Sequence, residues 1–357
     1  MLALIISGIV IGCIYALIAA GYAIVYRTTG VLNFAQGSFV MLSGMTCAWL
    51  ITSEGWSYPL AALGGLVLTI AAGAAIWILL MAPMLIRRLG VGLAVIATLV
   101  VSYALTDAVL LWQGPNPQSL PAIKPTFQFT VGGTRISSGQ VYVIVGMALI
   151  LILLSAFLKY TPLGRATRAS AADHETAQLL GISPVRVGGY AMCIAAAVGA
   201  LGGLLITPIQ FTSASGATSL ALYGFVAAVL GGFGRLSGGV IGGLVIGVLQ
   251  ELVGRYISTA YSDAITFGVL IIVLLLRPQG LLGAPNYGRA RRARGGPADA
   301  PSPEAPPSDA AGASGASASG ASAPENSALT SQSPAGGASP QTSRAGRAAD
   351  VAAGDGT

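Results

Sequence analysis

The sequence predicts an all-α polytopic membrane protein of about eight to ten transmembrane helices over residues 1–283, followed by a disordered tail over 284–357. Three observations carry this reading. Hydrophobic residues make up 54% of the chain and charged ones 8%, with a mean hydropathy of +0.77. A soluble domain carries about 25% charged residues, so this charge cannot coat a water-facing surface. Apolar runs long enough to cross a bilayer, about 20 residues each, recur along the chain. After Leu282 the composition turns to Ala, Ser, Gly and Pro with scattered charge, too little apolar surface to pay the entropy of folding.

Taken in order, the apolar runs place spans near 3–26, 34–52, 59–84, 92–112, 140–158, 187–207, 219–234, 238–254 and 263–277. The first is longer than a signal-peptide core and has no basic residue ahead of it, so it is expected to be retained. The seventh and eighth are short and rich in glycine, which leaves a bent hairpin or partial spans open. Between the fourth and fifth runs, Thr126–Val131, Gly132-Gly133 and Thr134–Ile136 alternate as a small hairpin does. The tail begins with a basic stretch, Arg289–Arg294, suited to anionic lipid headgroups.

The net charge of +6 is therefore a statement about topology and not about nucleic acid. Arg27, Arg87 with Arg88, Lys159 to Arg186, Arg235, and Arg277 to Arg294 fall on one side when successive spans alternate. Short cation-rich loops face the cytoplasm, so the amino terminus is expected outside and the carboxyl terminus inside.

Several chemistries are excluded. The single histidine, His174, rules out a multi-histidine metal site, and Cys13, Cys47 and Cys193 sit in apolar runs without ligand or disulfide spacing. The only lysines, Lys124 and Lys159, do not follow glycines, so no phosphate-binding loop is present. The chain is not expected to bind ATP, a metal or another cofactor, or to be an enzyme. Asp107 and Asp263 lie near span ends, which argues against a charged relay at the membrane midplane.

Three stretches break the apolar pattern. In GVLNFAQG, Gly30 and Gly37 bracket Asn33 and Gln36. On a helix those amides, three residues apart, would share a face, and the glycines permit a broken helix lining a cavity. They fit either an uncharged polar path for a zwitterion or neutral solute, or helix–helix hydrogen bonding. The longest expected cytoplasmic loop, GRATRASAADHETAQLLGI, predicts a short helix capped by Ser170 with Asp173 behind it and stopped by Gly181, with Pro184 beyond. A helix of one to three turns needs a partner surface, although an ordinary solvated loop also fits. In GGFGRLSGGVIGGLVIG, Gly234, Gly238 and Gly242 repeat at four, as do Gly239, Gly243 and Gly247. That spacing suits backbone-to-backbone helix packing, with a glycine-broken path helix as the alternative.

Together these stretches carry a family likeness. GVLNFAQGSFVMLSG, GRATRASAADHETAQLLGI, AAVLGGFGRLSGGVIGGLVIG and LLLRPQGLLG occur in this order from Gly30 to Gly283. The chain resembles, from Met1 to about Gly283, the permeases of branched-chain amino acid ABC importers, of the LivH type. The resemblance implies a bacterial inner-membrane importer with ABC ATPase subunits that bind the ATP, a second permease subunit and an extracytoplasmic solute-binding protein. Gly30, Asn33, Phe34, Ala35 and Gly37 match the first signature, where many relatives have histidine at the place of Gln36. Substrate-pathway roles are thereby implied for Gly30, Asn33, Gln36 and Gly37. Gly164, Arg165, Ala166, Arg168, Ala169, Asp173, Ala177, Leu180 and Gly181 match the coupling loop, and Glu175 stands near the acid that relatives carry at the place of Ala172. An ATPase-coupling role is implied for Arg165, Arg168, Asp173, Glu175, Ala177 and Gly181. The same family serves hydrophobic amino acids, urea and short amides. From the residues alone, a self-contained channel for a small neutral solute and a membrane scaffold are the rival readings.

Overall fold

The computed structural model describes residues 1–282 except 88, 122–125, 132–133, 173, 259–260 and 278–279, with the side chains at 131, 134, 171, 172 and 174–176 also outside that description. The expected tail, 284–357, lies outside the described residues.

Each predicted span is a helix. In chain order they are α1 (Leu2–Thr29), α2 (Gln36–Thr52), α3 (Tyr58–Ile76) continuing through a π turn (Trp77–Met81) into α4 (Ala82–Ile86), α5 (Val91–Gln113), α6 (Ser138–Tyr160), the short α7 (Pro162–Ala172) and α8 (His174–Leu179), α9 (Pro184–Ile206), α10 (Gly216–Gly231), α11 (Leu236–Tyr256) and α12 (Ser262–Leu276). Six helices are long and apolar enough to cross a membrane: α1, α3 with its continuation, α5, α6, α9 and α11. The remaining three, α2, α10 and α12, have 17, 16 and 15 residues. At about 1.5 Å per residue they reach only about 22–26 Å, short of the apolar thickness of a bilayer.

The seventh and eighth runs are two separate helices, α10 and α11. Gly232 (φ 102°) and Gly234 (φ 81°) turn the chain between them, in a backbone region that side chains disfavour. The outer hairpin forms as β1 (Gln128–Val131) paired antiparallel with β2 (Thr134–Ser137), Phe129 opposite Ile136. Ser137 and Gln140 then close a reciprocal capping box on α6.

At the centre lies α1, whose residues Ile14–Val25 are all buried. A helix apolar all round belongs inside a bundle, and α1 packs against α6, α9, α10 and α11. Its approach to α11 is backbone to backbone. A Cβ at Gly8 would lie 2.7 Å from Val248 Cα, one at Gly12 2.8 Å from Leu244 Cα, and one at Gly243 2.8 Å from the Gly12 carbonyl. Beside α1 runs α2, buried without interruption from Gln36 to Ala48. By contrast α5 and α6 turn Ile96, Val100, Tyr103, Leu149, Ile152 and Leu153 outward, as lipid-facing surfaces do.

Candidate functional site

The break between α1 and α2 is built by local hydrogen bonds. The Thr29 hydroxyl donates to the Val25 carbonyl (2.8 Å) and accepts the Val31 N–H (3.1 Å). Gly30, at φ 71°, closes α1 with its N–H on the Tyr26 carbonyl, 2.8 Å away, a left-handed stop. A Cβ at Gly30 would meet no atom within 4 Å, so its conformation and not its size fixes this position.

Residues 31–35 then cross without helix. Thr98 of α5 holds them: its hydroxyl accepts the Phe34 N–H (3.2 Å) and donates toward the Leu32 (3.2 Å) or Val95 (2.8 Å) carbonyl. Four residues on, Ser102 meets Ser38 oxygen to oxygen at 2.8 Å. Thr98, Ser102 and Thr106 form a buried hydroxyl stripe on α5 that sequence reasoning missed, although their spacing of four was readable.

Asn33 and Gln36 do not share one helix. Asn33 lies in the crossing segment and Gln36 is the first residue of α2. Their side chains nevertheless converge on α9. Asn33 accepts the Ala35 N–H on Oδ1 (3.2 Å) and donates from Nδ2 to the Met192 sulfur (3.3 Å). Gln36 donates from Nε2 to the Ala195 carbonyl (2.9 Å), while its Oε1 is buried with no hydrogen-bond partner among the described residues. Asn33 is 1% exposed and Gln36 0%, so both are enclosed by protein in this conformation. The Gln36 carboxamide lies against Gly21 of α1, where a Cβ would overlap it. Gly37 serves contact: a Cβ there would come within 2.6 Å of the Ala221 nitrogen and 2.8 Å of the Ala221 Cβ, so only glycine lets α2 meet α10.

The segment 162–182 differs from the single expected helix. Pro162 opens α7 directly after α6, and α8 follows. Ser170 is a fully buried residue inside α7 and not an N-cap. Gly164, Thr167 and Ser170 form the buried face of α7, which packs on α1, α6 and α9. The helix starts at Thr161, whose hydroxyl accepts the Gly164 N–H at 3.1 Å with Pro162 as the first helical residue, and the tertiary contact seats it. At Gly164 a Cβ would come within 2.6 Å of Leu158 Cα, so the turn from α6 requires glycine. Arg165 and Arg168 are on the exposed side. Arg168 also donates to the Leu158 (2.6 Å) and Lys159 (3.2 Å) carbonyls, satisfying the end of α6.

Gly181, at φ 80°, ends α8. Its N–H bonds the Gln178 carbonyl and the Ile182 N–H bonds the Ala177 carbonyl, both at 3.0 Å, the paired bonds of a Schellman stop. Ala177 is buried at 2% exposure, whereas Leu179 (88%) and Leu180 (73%) stand out into the open. Two adjacent exposed leucines at a helix tip are the feature that composition hid, because leucine also favours helix. Asp173 and the Glu175 side chain lie outside the described residues.

Of the glycine series, Gly234 sits in the α10–α11 turn and not on a helix. Gly238 and Gly242 face α10, where a Cβ at Gly238 would come within 2.9 Å of the Gly231 carbonyl carbon and one at Gly242 within 2.9 Å of the Gly231 nitrogen. Among the described residues no group of three or more His, Cys, Asp or Glu could hold a metal ion.

Comparison with known proteins agrees with this architecture. Residues 4–274 match the family model described as "Branched-chain amino acid transport system / permease component". The high-affinity branched-chain amino acid transport system permease protein LivH of Escherichia coli K12 is 33% identical over 299 residues, covering 78% of this chain and 94% of that protein. BraD of Pseudomonas aeruginosa, with the same description, is 33% identical over 78% of this chain and 95% of its own. The corresponding LivM of Escherichia coli K12 is 30% identical over 75% of this chain but 68% of its own.

Proposed function

The chain belongs to the branched-chain amino acid transport system permease family, and from that premise we propose that it is the LivH-type membrane subunit of an ABC importer for branched-chain or other hydrophobic amino acids. It is a multi-pass membrane permease. The single observation that carries the finer reading is the even similarity to LivH, which spans 94% of that protein, against 68% for LivM.

On this reading ATP is bound and hydrolysed by separate subunits, which dock on the α7–α8 elbow through Leu179, Leu180 and the exposed side carrying Arg165. A second, LivM-like permease completes the membrane pair, and a solute-binding protein delivers the amino acid from outside. The termini lie as the cation pattern predicts, amino end outside and carboxyl end in the cytoplasm. Closure of the ATPase pair moves the elbow, and α9, which begins three residues after Gly181, carries that motion to the enclosed segment 30–37. There Asn33 and Gln36 supply uncharged polar groups to the solute's route, and Gly30 and Gly37 let the chain bend and pack around it.

The test is uptake by the complete complex in liposomes, with leucine, isoleucine, valine, urea and a short amide as separate solutes. ATP-dependent uptake of the branched amino acids, and not of urea or the amide, is the expected result. Preference for urea or the amide reassigns the solute. ATP-independent flux through the permease alone replaces the importer with a channel.

A further inference from the structure

The polar contacts from the α2 region to α9 form an ordered ladder. Asn33 meets Met192, Gln36 meets Ala195, and the Ser43 hydroxyl donates to the Ala200 carbonyl at 2.8 Å. Between and just beyond these rungs α9 is smooth. A Cβ at Gly199 would come 2.9 Å from Phe39 Cβ and 3.2 Å from Gln36 Nε2, and one at Gly203 would come 3.0 Å from the Val40 carbonyl carbon. Small residues let two helices lie close without interlocking ridges.

One rung is incomplete. Gln36 is 0% exposed, one end of its carboxamide is bonded, and Oε1 has no partner among the described residues. A buried unmet acceptor costs about 1–3 kcal/mol, so an apolar side chain of the same shape would hold this conformation better. Such a group makes physical sense where a second arrangement of the same surfaces satisfies it. The supply of motion is at hand: α9 is a single 23-residue helix that starts just past the α8 stop, so a push on the elbow displaces the Ala195 carbonyl along α2.

We propose that the α2–α9 seam is a moving surface of the transport cycle and that Gln36 is the positioning residue that registers it. Its carboxamide holds the Ala195 carbonyl in this state and exchanges that bond for a fully paired arrangement once α9 has shifted. Discrete re-pairing of packed helices converts a small displacement into two defined states. This rests on the permease reading above.

The experiment measures amino acid transported per ATP hydrolysed in the reconstituted complex, with leucine, isoleucine and valine as probes. A wild-type complex that moves none of them overturns the permease reading and this inference with it. Given an active wild type, Gln36→Met should assemble and lose at least about fivefold in solute moved per ATP. Gln36→His, which retains an N–H donor, should recover at least half of that ratio. Gly21→Ala, which displaces the carboxamide without changing it, should lower the same ratio and add nothing when combined with Gln36→Met. A ratio in Gln36→Met equal to wild type overturns the proposal. So does failure of both Gln36→Met and Gln36→His to assemble, which would make the residue a packing element alone.

Discussion

Arg168 donates to the carbonyl of Leu158 at 2.6 Å, folding α7 back onto the end of α6. The guanidinium thus meets carbonyls left over at a helix end, where positive charge is also favoured by the helix dipole. Reversing that charge removes both effects. Arg168→Glu should destabilise the permease by about 1 kcal/mol, with Arg168→Lys intermediate, read as thermal unfolding of the purified protein in detergent. An unchanged melting temperature in Arg168→Glu would show that the α6 end is satisfied without it.

The tip of α8 separates stability from docking. Leu179 and Leu180 are exposed, so Leu179→Ser with Leu180→Ser removes no buried apolar area from the permease and should leave its unfolding unchanged. The same double change should reduce the ATPase retained on the immobilised permease if these side chains enter a partner groove. Gly181→Val acts differently. A β-branched residue at φ 80° is strained by roughly 1–2 kcal/mol, which should loosen the Schellman stop and lower both elbow stability and ATPase retention. Full retention by the double serine variant would place the docking contact elsewhere.

The α1–α11 seam makes a sharper forecast. Gly243→Val would put a side chain where the α1 backbone already lies, and no rotamer avoids it. The expected cost exceeds about 3 kcal/mol, the usual upper range of overpacking in an interior, so the variant should not accumulate in the membrane. Gly268→Ala in α12 is the control: a Cβ there meets nothing within 4 Å, and removing a helical glycine should raise stability by up to about 1 kcal/mol. Measuring membrane-inserted protein and its melting temperature compares the two directly.

The spans were legible because burial in lipid leaves a composition signal over 15 or more residues, and the helix break at Gly30 because glycine in the left-handed region leaves a local one. What was not legible depends on partners far away in sequence. Arg168 looks like a free surface cation until Leu158 is known to lie beside it across a turn. Ser170 looks like a cap until the small face of Gly164, Thr167 and Ser170 is seen buried beside α1. Thr98 and Ser102 are unremarkable in a span, and only the irregular segment 31–35 and the first turn of α2 opposite give their hydroxyls something to hold. Spacing alone puts Asn33 and Gln36 on one helical face. They do converge, but on α9, through a bend and not through helical periodicity.

Topology follows from which ends meet. Tyr26 and Phe233 stack edge-on at 4.7 Å between ring centres, and Arg235 donates to the Leu282 carbonyl at 2.7 Å, so the ends of α1, α10 and α12 share one face. On another, Gln118 and Thr212 exchange backbone hydrogen bonds at 2.8 Å. The cations cluster near the first group of ends, which should therefore be cytoplasmic. A reporter fused after Arg294 should read inside and one inserted near Gln118 outside. Identical readings at both sites would break the assigned parity of spans.

Asn33 offers the most direct test of the enclosed motif, because its two jobs can be separated. Oδ1 accepts the Ala35 N–H and shapes the turn that leads into α2, and loss of such a hydrogen bond costs about 1 kcal/mol. Among the described residues Nδ2 reaches only the Met192 thioether, a weak acceptor, so the amide nitrogen contributes little to holding the fold and, on the proposed reading, is available to a solute when α9 moves. Asn33→Ser keeps a short oxygen for the turn and a polar group in the segment, and should retain most uptake. Asn33→Leu removes both. If Asn33 only shaped the turn, Asn33→Leu would lower the yield and melting temperature of the complex while each assembled complex transported normally. If the residue lines the route, uptake per assembled complex should fall about tenfold, a barrier increase of about 1.4 kcal/mol, while basal ATP hydrolysis persists. Uptake normalised to purified complex, measured beside thermal unfolding, decides between them. Normal uptake per complex in Asn33→Leu would confine Asn33 to its turn.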